Sequence, residues 1–341
     1  MEEDHNSRIP MARTGKIIRR SIHTFLQNYQ YFTSGSALLA LPFSVSILLS
    51  QALLVPSSNS LFPTVHSRLQ ALFRAAGFPL SSEFFTILSL KLSQTISSSV
   101  FALPFTLTFL LFAKASVIQA LNKSKPTLSS PSFSCIICIF NPLLLTYIFN
   151  TFLIISANAT AFCLLFLSFN FLEGFGFSSP NSCLLLSAAG AVLYSIILAN
   201  ALITCNLALV LSGGEKSGGF MAFLKACVMI RGRTSTALSL ALPASISLAG
   251  IEALFQYRIV RPYNHRGQTA SSLMVMEGML IAYLYSVFIV LDTVATCIFL
   301  ESCNRNSCID QEEGRFAYRI EILEEDYQGG YVSSKATQEL P

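Results

Sequence analysis

Tryptophan is absent from the 341 residues, and charge is scarce: Asp, Glu, Lys and Arg together make up 12% of the chain. Without tryptophan, any aromatic belt at a membrane surface has to be built from tyrosine and phenylalanine. With so little charge, the chain cannot give each helix of a soluble fold its wet face. The scarcity is also uneven. No charged residue occurs in the 47 positions from Pro126 to Leu172, and after Glu173 none occurs in the 41 positions from Gly174 to Gly214. Hydrophobic residues make up 52% and the mean hydropathy is +0.58, so the chain is a multi-pass membrane protein. Recognisable catalytic, metal-binding and nucleotide motifs are missing too. His5, His23, His66 and His265 are far apart in the chain, and Gly213–Gly219 lacks both the spacing and the preceding strand of a phosphate loop. No enzymatic activity and no cofactor is expected.

The apolar runs are solid rather than alternating, which selects helices over a β-barrel. The expected fold class is all-α, a polytopic membrane protein with six transmembrane helices and interfacial amphipathic elbow helices. The candidate spans are Ser34–Val55, Gln94–Ile118, Leu143–Leu172, Cys183–Leu211, Thr234–Gln256 and Leu273–Leu300. The third reads either as one long tilted helix or as two short ones turning at Ser156–Thr160. Charge decides between six and seven spans, because cytoplasmic loops are enriched in Lys and Arg. Six spans with a cytoplasmic N-terminus place 16 basic residues inside and 6 outside, whereas seven spans divide them 11 and 11. Six spans are therefore expected, with both termini cytoplasmic. The organisation is residues 1–33 as tail and elbow, 34–301 as the membrane domain, and 302–341 as a disordered cytoplasmic tail with an acidic cluster at Glu321, Glu324, Glu325 and Asp326.

About 30 mixed residues precede the first span, and Glu2, Glu3 and Asp4 do not suit an acid-poor transit peptide. The first span reads as an uncleaved anchor. This points to the endoplasmic reticulum or another secretory membrane, with the plasma membrane as the alternative. Seven of the nine cysteines lie in or beside apolar stretches, which speaks against a disulfide-stapled exterior domain. Cys303 and Cys308 fall just past the sixth span, a position suited to palmitoylation. Asn158-Ala159-Thr160 and Asn122-Lys123-Ser124 are glycosylation sequons that the six-span layout places in the membrane and the cytoplasm, where they go unused.

Thr14–Tyr31 reads as an amphipathic elbow. Ile18, Ile22, Phe25 and Tyr29 share one face, and Lys16, Arg20, His23, Gln27 and Gln30 share the other. A second elbow, Ser217–Ile230, precedes the fifth span. A third, Ser132–Phe140, is expected to turn upward at Asn141-Pro142. Three spans repeat nearly the same words: LALPFSVS at Leu39–Ser46, FALPFTLT at Phe101–Thr108 and LALPASIS at Leu240–Ser247. Their prolines free backbone carbonyls, which the neighbouring Ser and Thr hydroxyls are expected to help satisfy.

The pattern Ser21-(six residues)-Asn28-(three)-Phe32, followed by Leu41-Pro42-Phe43-Ser44, resembles the start of the uncharacterised six-span membrane proteins of plants. Glu215-(three)-Gly219-(two)-Ala222-(three)-Ala226-(four)-Arg231-Gly232-Arg233 is similar to the elbow before their fifth span. It also resembles the elbow of the membrane domain accompanying some bacterial glycerophosphodiester phosphodiesterases. The resemblance implies a six-helix membrane protein without an established activity, and it brings no catalytic residues.

Charges at membrane depth are costly and mark candidate sites. They are Lys114, Glu252, Glu277 and Asp292. Lys114 and Asp292 are placed to meet as an ion pair, either as a packing clamp or as the gate of a solute pathway. Glu252 and Glu277 flank a loop holding Arg258, Arg261 and Arg266, readable as a salt-bridged loop or as a vestibule for cations or polar headgroups. Asn150, Asn170, Asn200 and Asn206 are polar positions suited to linking helices. The expected function is that of a non-enzymatic membrane-organising or adaptor protein. The alternative is a small-solute transporter or channel with Asp292 and Lys114 at its pathway. The expected partners are membrane lipids, and proteins bound through the cytoplasmic tail; nucleic acid is not among them.

Overall fold

The computed structural model describes residues 10–53, 61–75, 83–122, 133–174, 180–215, 218–231, 233–265 and 271–336. Among them every regular element is helical. Helix α1 (Pro10–Gln27) ends at Asn28, and a single turn, α2 (Tyr29–Tyr31), leads through a π turn at Phe32–Ser36 into α3 (Ala37–Leu53). After α4 (Leu61–Ala75), the helices α5 (Glu83–Phe105) and α6 (Leu111–Asn122) are joined by a second π turn at Thr106–Leu110. Next come the long helices α7 (Phe133–Gly174) and α8 (Pro180–Glu215), then α9 (Phe220–Ile230) and α10 (Thr234–Phe255). A third π turn at Gln256–Val260 passes into α11 (Arg261–His265), and α12 (Ser272–Ala336) closes the chain.

Among the described residues, six helical stretches are long and apolar enough to cross a bilayer: Tyr29–Ser50, Thr86–Asn122, Ile136–Ser168, Ala188–Glu215, Thr234–Tyr263 and Ser272–Asn304. They coincide with the six spans read from the sequence. The protein is an all-α polytopic membrane protein. The third span is one unbroken helix, which closes the alternative of two short ones. The chain forms two compact units, Met1–Ile298 and Phe299–Pro341. Residues 302–341, expected as a disordered tail, are described as helix as far as Ala336, with side chains described only to Asn304.

Among the described residues, two apolar clusters join the first span to its neighbours. One gathers Phe25 and Phe32 with Val117, Val290 and Val294, joining α1 to the first, second and sixth spans. The other gathers Leu48, Phe255, Ile281 and Tyr285, joining the first, fifth and sixth. Where the first and second spans meet, small residues let the backbones approach: Ala37, Ala40, Ala113 and Ala120 are all buried. There the hydroxyls of Ser36 and Ser116 share a hydrogen bond of 2.6 Å. The third span is barer. Leu145, Ile148, Phe152 and Ile155 recur at spacings of three and four and are all exposed, so they form a stripe for lipid. At the end of the bundle away from α1, Phe73 of α4 is buried among Leu88, Leu92, Phe162 and Phe166.

The repeated proline segments behave alike. Two residues past each proline, a hydroxyl donates to the carbonyl four residues back: Ser44 to Ala40 at 3.1 Å, Thr106 to Ala102 at 2.9 Å and Ser245 to Ala241 at 3.0 Å. The sequence leads one to expect these hydroxyls on the carbonyl that the proline strips, four residues before it. They bond instead two residues before the proline, because a helical Ser or Thr reaches the carbonyl of its own turn.

The third elbow is corrected. Among the described residues the elbow is not a helix of its own, because α7 runs from Phe133 straight through Asn141-Pro142. Tertiary packing overrides the local preference here. Ile136 and Ile139 are buried, and Phe140 stacks on Phe112 with centroids 4.5 Å apart, so the segment is already seated in the bundle.

Candidate functional site

Lys114 and Asp292 do come together, but through a third residue. The Nζ of Lys114 donates to Oδ1 of Asn206 at 2.7 Å, and Nδ2 of Asn206 donates to Oδ2 of Asp292 at 3.3 Å. The direct ion pair expected from the sequence is thus replaced by a chain linking the second, fourth and sixth spans. The amide does what a direct contact would not. It presents an acceptor to the ammonium and a donor to the carboxylate, so both charges are met by oriented dipoles. Lys114 lies eight residues inside Asn122, the end of the second span, or about 12 Å of helix. It is buried, whereas Asp292 and Asn206 are half-buried.

Next along α8, the carbonyl of Cys205 accepts from Nδ2 of Asn150 at 2.8 Å, tying the third span to the fourth. The Oδ1 of Asn150 and both polar atoms of Gln119 are buried with no hydrogen-bond partner. No sequence pattern marks Gln119. Asn170 donates within its own helix to Phe166 at 3.0 Å, and Asn200 is exposed. Asn158 accepts from the Tyr194 hydroxyl at 2.6 Å inside the third span, so its sequon is engaged in packing.

The two elbows show why their short motifs have the residues they do. In the first, Ser21 is buried and donates to Ile17 at 2.8 Å. Asn28 breaks α1, and its side chain donates to the Thr24 carbonyl at 3.4 Å. Phe32, fully buried, stacks on Phe25 at 5.6 Å. Serine, asparagine and phenylalanine thus make a corner and lock it. In the second, Gly219 has φ +73°, which favours glycine, and its N–H donates to the Thr146 hydroxyl at 2.8 Å. A Cβ on Gly218 would stand 2.9 Å from both Cα and O of Pro142. The glycine-rich stretch is where the elbow is pressed onto α7. Ala222 and Ala226 then bury themselves on one side of α9, and Lys225 pairs with Glu215 at 2.6 Å.

At the opposite end, Glu252 and Glu277 part company. Glu252 accepts from the Tyr285 hydroxyl at 3.0 Å. Glu277 accepts from Nε of Arg258 at 2.6 Å and lines a cleft of about 580 Å³ with Tyr257 and Arg261. Among the described residues no three of His, Cys, Asp or Glu stand together as a metal site. Cys138, Cys163, Cys205, Cys227 and Cys297 are in no disulfide. Cys303 is buried, and the side chain of Cys308 lies outside the described residues.

The family model for a domain of unknown function, DUF8558, matches residues 3–338. The chain belongs to that family. No curated protein matches it, and no solved structure does. The family covers both elbows, all six spans and the Lys114–Asn206–Asp292 chain, so these are parts of one domain.

Proposed function

We propose that the protein is a non-enzymatic integral membrane protein that organises the bilayer around its elbow helices. In this reading both termini are cytoplasmic and the protein resides in the endoplasmic reticulum or another secretory membrane. The observation that carries the reading is the divided surface of each elbow. On α1 one stripe, with Phe25, seats against the bundle, while Ile22 and Leu26, followed by Tyr29 of α2, are exposed beside exposed Lys16, Arg19, Arg20 and His23. On α9 the Ala222–Ala226–Ile230 stripe is buried, while Phe220, Met221, Leu224 and Val228 are exposed beside Lys225 and Arg231. A helix fixed to a bundle on one side, with apolar and cationic residues outward, holds acyl chains and anionic headgroups around it. The resemblance to uncharacterised plant six-span proteins, and to phosphodiesterase membrane domains without their catalytic barrel, agrees with a role not built on catalysis. Through residues 302–341 it would bind partner proteins and so serve as an adaptor.

The test is reconstitution in supported bilayers containing a fluorescent anionic lipid. The wild type should gather the lipid around itself. A variant carrying Lys16→Glu, Arg19→Glu and Lys225→Glu, folded by size-exclusion and thermal criteria, should gather none. Equal enrichment by both proteins contradicts the proposal.

One observation favours a second reading. Asp292 is half-buried rather than sealed, so a solute or proton pathway could reach it. Solute-driven currents in proteoliposomes, lost in Asp292→Asn with the fold retained, would support that transporter.

A further inference from the structure

The cleft at the end of the bundle away from the elbows has a chemistry of its own. Its floor is set by the third π turn. Pro262 has no N–H to give the carbonyl of Arg258, and just before it the helix widens at Gln256–Val260. The widened turn carries Tyr257 and Arg258, and the next turn carries Arg261, all three lining the cleft. Facing them, the start of α12 supplies Ser271, Met274 and Glu277.

The charges do not cancel. Glu277 answers one arginine, Arg258, through Nε alone. Arg261 is held instead over the ring of Tyr257, its guanidinium 6.0 Å from the centroid. Among the described residues no carboxylate stands within salt-bridge distance of it. Two guanidinium groups against one carboxylate leave the cleft cationic, and guanidinium forks match phosphate oxygens. The surroundings are apolar and lie within the spans. Leu273, Met276 and Leu280 recur on α12 and are strongly exposed, as are Leu254 and Tyr257 on the facing helix. A cationic cleft at the head of two apolar stripes has the shape of one ligand class, a phosphate carried on hydrocarbon chains.

We propose that this cleft binds the phosphate of an anionic glycerophospholipid from the leaflet facing away from the elbows, with its acyl chains lying along Leu254 and the Leu273–Met276–Leu280 stripe. The site stands independently of the elbow reading. In it Arg261 is the primary phosphate donor. Arg258 is shared between phosphate and Glu277, so Glu277 competes with the ligand.

The test is native mass spectrometry of the full chain in mild detergent, titrated with phosphatidylglycerol, phosphatidylcholine and inorganic phosphate. Phosphatidylglycerol should be retained over phosphatidylcholine, and inorganic phosphate should not displace it. Arg261→Gln should weaken retention roughly tenfold, the size of one lost charge-assisted contact, and Arg258→Gln/Arg261→Gln should abolish the preference. Glu277→Gln should tighten binding, an effect that a merely structural ion pair would not produce. Unchanged retention in the double arginine variant, weaker binding in Glu277→Gln, or displacement by inorganic phosphate would each overturn the proposal. Elbow variants leave this readout unchanged, so failure here and failure of the elbow proposal are distinguishable.

Discussion

The bundle holds two arrangements of opposite charges that differ in what surrounds them. At one, Lys114 has 9% of its surface exposed and reaches Asp292 only through Asn206. At the other, the side chains of Arg258 and Glu277 are 56% and 36% exposed and touch directly. An exposed pair can form and break at little cost, because water replaces each partner. A buried ammonium has no such replacement. Its desolvation costs several kcal/mol, so it persists only where every polar atom around it is aimed. The interior cluster therefore has an amide between its charges and spans three helices, whereas the exterior one needs no third member.

That contrast orders the expected effects. The largest belongs to the interior cluster. Asp292→Leu alone orphans the buried Lys114 ammonium and should cost about 3–5 kcal/mol, read as a fall in Tm in detergent, and Lys114→Met, which orphans the half-buried Asp292, should cost less. The double variant should recover most of the loss, because the unpaired charge is gone. Asn206→Leu leaves both charges in place without their bridge and should cost about 1–3 kcal/mol. Gly218→Ala probes the elbow seat rather than a charge. Its methyl meets the Pro142 backbone at 2.9 Å, which cannot swing aside, and a loss of about 1–3 kcal/mol is expected. The smallest effect falls on the exterior pair. Arg258→Gln should change Tm by less than about 1 kcal/mol equivalent, and high salt should erase even that. A large, salt-insensitive loss at Arg258 would erase the comparison.

The layout of spans was readable because the apolar runs are solid and the charges cluster between them. Lys114 and Asp292 stood out for the same reason, as charges where charge is expensive. Asn206 did not stand out from Asn150, Asn170 and Asn200, because a lone asparagine in an apolar helix looks the same wherever it points. Only the register of α8 against α6 and α12 brings Asn206 between the two charges. Pro142 misled for the converse reason. Its local rule forecasts a corner, but Ile136, Ile139 and Phe140 are held by neighbours distant in sequence. The seat of Gly218 on Pro142 was hidden likewise, since composition makes any glycine-rich stretch look loose. The cleft at Arg258 and Arg261 was half-visible. The arginines and Glu277 were marked, but the π turn that aims them has no sequence signature beyond Pro262.

In the proposed function the interior Lys114–Asn206–Asp292 chain holds the helices together while the elbows act on lipid, a division of labour. It is tested most directly by replacing the whole chain with apolar residues, as Lys114→Met/Asn206→Leu/Asp292→Leu, and measuring anionic-lipid enrichment in a supported bilayer. A folded protein, about as stable as the wild type, with enrichment unchanged, is expected. A folded triple variant that no longer gathers lipid would contradict it.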